Sequence, residues 1–282
     1  MTNISVLDPG ASPLHYYGFE LRRHREAAGL TQKEFGDVIN YTGSLVGQIE
    51  TARKLPTDVF SERADAALGT GGLLSRLVGL VLRSQLPGWF QQVAELEARA
   101  AEISVFQPQL VHGLLQTEAY ARAVLGAVDD SDLDNRTAAR LARQRILEKG
   151  KPPVFWTVVS EAVLYQEIGG PEVMRGQLTR LLYFERTPRV NIQVLPFKVG
   201  VHAGLMGSFD LFRFVSDPTI VYSEDYDSGH PTANPDAVES RSLRYDHLQA
   251  AALSVKDSAT LIRHVMEERY GEQLPSDRRP VA

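Results

Sequence analysis

The chain of 282 residues contains no cysteine. That excludes disulfide scaffolds, thiolate metal sites and cysteine nucleophiles, and it fits a cytoplasmic protein. No apolar run approaches the ~20 residues of a membrane helix, so no membrane contact is expected. The opening stretch MTNISVLDPGASP has no basic region followed by an apolar one, and does not read as a secretory signal. The phosphate-cradling P-loop, the GxSxG elbow and HExxH are all missing. None of the seven histidines stands at metal-ligand spacing from another. His230 lies near Glu224, Asp225 and Asp227, a weak metal candidate that reads better as a solvated acidic loop. The expectation is therefore no catalytic residue, no metal, no cofactor and no enzyme. A strong charge excess is lacking too. The formal net charge is −5, mild evidence against nucleic-acid affinity of the whole chain.

What remains is an apolar fraction of 43% and a charged fraction of 23%, ordinary for a globular protein with room for two domains. The most informative stretch is Leu30–Thr57, LTQKEFGDVINYTGSLVGQIETARKLPT. Thr31 followed by Glu34 is a capping box, so a helix should open at Gln32. Phe35, Val38 and Ile39 give it an apolar face, and Gly36 permits close approach of a second helix. Asn40-Tyr41 breaks the pattern, and Asn tolerates the left-handed turn conformation. Thr42 caps a second helix whose apolar positions are Leu45, Val46 and Ile49. Two short amphipathic helices across a tight turn have the geometry that puts the second in a major groove.

On these residues the stretch resembles the phage-repressor (Cro-like, XRE) helix-turn-helix without a gap. Thr31-Gln32 and Glu34 open the first helix, Ile49-Glu50 close the second and Pro56 follows. Three positions depart from the pattern. Asn40 and Ala52 stand where glycine is usual, and Gly43 takes a place that often carries a base-reading side chain. The resemblance implies that Gln32, Gly43, Ser44 and Gln48 face the groove. It implies phosphate contacts from Arg22, Arg23, Thr31, Thr42, Arg53 and Lys54, with Arg25 in the same basic cluster. Between His15 and Gly72 seven cations meet eight anions, so the charges must segregate for DNA to bind. Modest, salt-sensitive affinity per subunit, raised by dimerisation, is expected.

The rest of the chain divides by pattern. Residues 1–14 read as a flexible start, 15–82 as five helices of a repressor-like domain, 86–272 as a second domain, and 273–282 as a flexible tail. The first helix should run from Tyr16 to Ala28, with Phe19 and Leu21 apolar and Gly29 as its stop. In the second domain helices are expected over 89–102, 117–126, 133–148, 171–184, 237–253 and 257–270. Strands are expected over 154–159 and 190–195, with a hairpin over 208–215 and 219–223. The fold class is α+β: an all-α reader, then a helical region with a small, mostly antiparallel sheet and flanking helices.

From about Leu86 onward several phrases recur in order. They are Pro87-Gly88-Trp89-Phe90, Gly113–Ala123, Arg140–Gln144, Glu161–Leu164 and Gln193–Phe197, then His202-Ala203-Gly204 and Gly207-Ser208-Phe209. In these the chain is similar to the C-terminal domain of the Scr-type, antitoxin-like transcriptional regulators of actinobacteria. That resemblance implies a transcriptional regulator that meets a small acidic partner protein, and a homodimer on a pseudo-palindromic duplex is expected. Arg140, Arg143 and Gln144 on one helix, with Arg136 a turn earlier, form a candidate ligand or partner face. A solvated face competes with that reading, with Arg143 paired to Glu161. His202, between Gly200 and Gly204, is a second candidate and equally a solvent-facing loop residue. Two rival functions stay open, a protein-interaction module with secondary DNA binding and a small-molecule sensor.

Overall fold

A computed structural model describes residues 8–85, 88–127, 132–225 and 228–271. The helices are α1 (Pro13–Ala27), α2 (Gln32–Ile39), α3 (Gly43–Glu50), α4 (Asp58–Leu68), α5 (Leu73–Ser84), α6 (Gly88–Arg99), α7 (Glu118–Gly126) and α8 (Leu133–Arg143). They continue as α9 (Ala162–Tyr165), α10 (Pro171–Tyr183), α11 (Pro235–Ala251) and α12 (Val255–Tyr270). The strands are β1 (Glu102–Gln107), β2 (Val154–Ser160), β3 (Val190–Leu195), β4 (Phe209–Arg213), β5 (Ile220–Glu224) and β6 (Gly229–Thr232). The class is α+β, as the sequence indicates. The expected flexible tail and Asp227 lie outside the described residues, as does Pro87.

The chain folds as two units whose sequences interleave. The first holds the described residues up to Gln91 together with Asp134–Ala142, and the second holds the remainder. The expected division at 82/86 does not anticipate that insertion. Its cause is local: the Leu55 N–H donates to Asn135 Oδ1 at 3.3 Å, and Ala138 packs on the first unit's core. That core centres on Tyr17, Leu21, Phe35, Ile39, Val46, Ile49, Phe60 and Leu74, all almost wholly buried. Two of the apolar positions named from the sequence face outward. On α1 the buried stripe is Leu14, Tyr17 and Leu21, a turn apart, which turns Phe19 outward. On α2, Phe35 and Ile39 fill the interior at i and i+4, leaving Val38 59% exposed.

The second unit is built on a six-stranded mixed sheet in the order β3-β2-β1-β4-β5-β6. β1, β2 and β3 run parallel, and the pairings beyond β1 are antiparallel. The expected hairpin is β4–β5, with Leu211 opposite Val221. β1 is a strand where a helix tail was expected at Glu102, and it is the strand on which the parallel and antiparallel halves meet. Alternation divides the sheet. Phe106, Val158, Leu195 and Leu211 face α11 through Tyr245 and Leu248. Residues of the opposite parity meet α12, where the Val194 N–H donates to Ser258 Oγ at 2.9 Å. α10 in turn packs along α12.

Candidate nucleic-acid interface

Helix α3 is fixed at both ends by residues the sequence singles out. Thr31 Oγ1 accepts from the Glu34 N–H, and Glu34 Oε2 accepts from the Thr31 N–H at 2.8 Å. That second bond holds the Glu34 carboxyl below the usual carboxylate range. α2 ends at Asn40, whose φ of 59° and ψ of 48° are left-handed. Thr42 Oγ1 then accepts from the Leu45 N–H at 3.2 Å and starts α3. Ala52, with φ of 57°, turns the chain out of α3 in the same left-handed conformation. Arg63, which sequence reasoning passed over, donates to the Ile39 carbonyl at 3.1 Å and lies over the Tyr41 ring. It thereby satisfies a carbonyl at the end of α2.

Glycine sets the spacing. A Cβ on Gly43 would lie 2.8 Å from the Lys33 Cα, so Gly43 is the point where α3 meets the start of α2. Half-buried there, it presents no side chain, in keeping with the expectation that it offers backbone and not readout. A Cβ on Gly18 would lie 2.8 Å from the Glu50 carbonyl, so α1 touches the end of α3 at that residue.

Behind α3 sits a buried polar network. Arg25 Nε donates to Glu50 Oε1 at 2.5 Å and Arg25 Nη2 to Glu50 Oε2 at 3.1 Å. Arg25 Nη1 donates to the Leu30 carbonyl at 2.6 Å, and Gln32 Nε2 to Glu50 Oε2 at 2.7 Å. Arg25 is thus withdrawn from the basic cluster in which its sequence neighbours place it. It is 6% exposed and its charge is spent on Glu50, which is 1% exposed. Gln32 lies half-buried along α3, where a Cβ on Gly47 would come within 2.9 Å of its Oε1. Its amide nitrogen braces Glu50 instead of pointing outward.

The outward groups are fewer than the sequence offers. Ser44 and Gln48 are exposed and stand four residues apart on α3. Thr31, Thr42, Arg53 and Lys54 are exposed around them, the last two just beyond the helix. Arg22 pairs with Glu26 at 3.2 Å and Arg23 with Glu20 at 2.6 Å, so each carries a nearby counter-charge.

Of the second candidate group, Arg140 and Arg143 stand three residues apart on α8, and Gln144 follows directly. Arg140 belongs to the segment of α8 that packs in the first unit, whereas Arg143 and Gln144 belong to the second. Arg143 pairs with Glu97 at 2.6 Å and 2.9 Å, not with Glu161, whose carboxylate accepts from the Phe197 N–H. Gln144 Nε2 donates to the Gly113 and Gln116 carbonyls, and its Oε1 accepts from Arg180. Gln144 thus holds the Gly113–Gln116 turn. His202 Nδ1 accepts from the Gly204 N–H, and its ring meets Phe106 edge-on. Partial burial holds its pKa below the usual imidazole value. His230 pairs with exposed Asp225, and no group of three or more metal-ligating side chains occurs among the described residues.

Five helices with a capped, glycine-spaced pair at α2 and α3 define a helix-turn-helix protein of the DNA-binding regulator class. Residues 17–77 match the family described as a helix-turn-helix domain. Residues 90–264, more than half of the chain, match a domain of unknown function (DUF5753), and the chain belongs to that family. No curated protein and no solved structure matches it. Among the described residues no helix is long and apolar enough to cross a membrane.

Proposed function

We propose that the protein is a sequence-specific transcriptional regulator that inserts α3 into the major groove of duplex DNA. Ser44 and Gln48 read base edges, with Gln48 able to bond an adenine in a bidentate manner. Thr31, Thr42, Arg53 and Lys54 meet phosphates, and Arg22 and Arg23 add weaker contacts from within their ion pairs. Gln32 and Glu50 hold the angle of α3 instead of reading. Residues 15–82, completed by the 134–142 helix, are the reader. The part from 86 to 272 dimerises and responds to a small acidic partner protein or a ligand, as in antitoxin-like XRE regulators of actinobacteria. A twofold dimer then meets a pseudo-palindrome with half-sites about one helical turn, ~34–36 Å, apart. The setting is cytoplasmic.

The observation that carries this reading is the pair of exposed polar side chains, Ser44 and Gln48, on a helix braced from behind by Arg25, Glu50 and Gln32. A brace that withdraws two ionic groups from solvent makes sense for a helix whose orientation matters. The test is fluorescence anisotropy of the full chain on its own upstream DNA at low salt, with scrambled DNA as competitor. Specific binding is expected. Equal binding to scrambled DNA overturns the reading.

A second reading has its own observation. With Arg25 buried and Arg22 and Arg23 paired, the reader has little unpaired positive charge. On that reading the chain is chiefly an interaction module for a small protein. Capture of a small acidic partner with no shift of promoter DNA at low salt favours it.

A further inference from the structure

A cleft of about 280 Å³ opens on the α11 face of the sheet, at the end where β1 and β2 begin and β4 stops. The register explains the opening. Arg213, Glu102 and Val154 form one row across β4, β1 and β2, and Leu211, Ser104 and Trp156 form the next. Deeper in, Phe106 and Val158 fill the space beneath α11. Toward the open end β1 and β2 present Glu102, Ser104, Val154 and Trp156, and the cleft lies between these and Tyr245, Asp246 and Gln249 on α11. The volume lies near the lower end of the ~300–1,000 Å³ range of small-molecule sites.

The lining is preorganised on one side and solvent-accessible on the other. The Trp156 indole N–H donates to Gln193 Oε1 at 2.8 Å, and Gln193 Nε2 donates to the Leu253 carbonyl at 2.7 Å. The Tyr245 hydroxyl donates to the Trp156 carbonyl at 3.0 Å. Both rings are therefore held in place before anything binds. Arg213 Nη1 donates to Glu102 and to Ser104, so those two charges offset each other. Asp246, by contrast, has no cation within ion-pair distance among the described residues, and Gln249 carries no side-chain hydrogen bond. The cleft thus has a net charge of −1, a fixed indole, and an exposed carboxylate with no ion-pair partner among the described residues.

We propose that this cleft binds a small organic cation, an amine carried on a flat apolar or aromatic body. The body lies against Trp156 and Val154, the ammonium pairs with Asp246, and Gln249 accepts or donates a further hydrogen bond. An ammonium beside an indole gains cation–π attraction as well as the ion pair. A carboxylate ligand of the same shape would meet Asp246 with like charge. This inference goes beyond DNA reading and does not depend on it.

The test uses the full chain with Trp89→Phe, so that Trp156 is the one remaining indole, and no DNA. Three probes share a body and differ in charge: 2-phenylethylamine, 2-phenylethanol and phenylacetate. The amine is expected to change Trp156 emission saturably, with at least tenfold higher affinity than the alcohol, and phenylacetate to give no saturable change. Asp246→Asn, at an exposed position, is expected to erase the difference between amine and alcohol while leaving the melting temperature unchanged. No saturable response to the amine, equal responses to amine and acid, or a preference that survives Asp246→Asn overturns the proposal. Should Trp89→Phe fail to fold, the same comparison is read as the ligand-induced rise in melting temperature of the wild-type chain and of Asp246→Asn.

Discussion

At Asn40 and Ala52 two side chains occupy left-handed backbone, which costs an ordinary L-residue about 1–2 kcal/mol. Asn reduces that cost through its short polar side chain, and Ala has no such relief. Ala52→Gly is therefore expected to stabilise the chain by about 0.5–1 kcal/mol, and Asn40→Ala to destabilise it by about 1 kcal/mol, both read from urea unfolding followed by circular dichroism. Glu50 carries a larger effect. Glu50→Gln leaves the buried Arg25 charge with only the exposed Glu26 carboxylate, at 3.4 Å and shared with Arg22, and a loss of about 3 kcal/mol is expected. The double change Arg25→Met with Glu50→Leu should cost clearly less than Glu50→Gln alone. Additive losses would mean that the pair is not a coupled buried unit. The turn at Asn40 was legible in the sequence because one residue type satisfies one local backbone demand. The Arg25–Glu50 pair was not, since its partners stand 25 residues apart and meet only when α1 crosses α3.

Among the elements, α5 begins at a glycine, Gly72, which has no side chain to cap it. Asp65, from α4, takes that role. It accepts from the Leu74 N–H at 2.9 Å, the Ser75 N–H at 2.8 Å, the Ser75 hydroxyl at 2.6 Å, and the Thr70 hydroxyl. Burial pushes its pKa up, and these four bonds more than reverse that, holding it below the usual carboxylate range. A carboxyl with a depressed folded pKa contributes stability that is complete above its unfolded value of ~3.9 and lost as pH falls through the lower folded value. Thermal melts between pH 7 and pH 3 should therefore show a steeper fall for the wild type than for Asp65→Asn. At pH 7 that variant should already be less stable, by about 2 kcal/mol. Parallel pH profiles would remove Asp65 from the acid response. On α3 the division of roles is equally testable. Gln48→Ala is expected to relax sequence preference, whereas Lys54→Ala weakens all sequences alike and flattens the salt dependence by about one ion. A uniform loss from both changes would reject the assignment of roles.

For the whole molecule, the unexpected feature is the return of the chain at residues 134–142 to complete the N-terminal unit. Asn135→Ala removes the acceptor for the Leu55 N–H, a buried donor, and a cost of about 1–3 kcal/mol is expected in thermal unfolding. A fragment ending at residue 91 should melt below the same unit in the full chain. An equal melting temperature would mean that the helix is only laid against the reader. The sequence marks Leu133–Glu148 as helical but does not say which core it meets. The sheet had a similar gap. β6 contains Gly229 and Pro231, residues that weaken a strand reading, and it survives as an edge where a missing N–H is tolerated.

By itself the sequence determined the local events of this protein: the capping box at Thr31, the left-handed turn at Asn40, the threonine caps, the helical periods and the β4–β5 hairpin. Each depends on residues a few positions apart, so composition and spacing suffice. Only the tertiary structure decided which charges stay available. It buried Arg25 on Glu50, set Arg143 on Glu97, and turned Gln32 toward Glu50. It also opened the cleft at Trp156, because volume between a sheet and a helix depends on strand register and on residues more than a hundred positions apart.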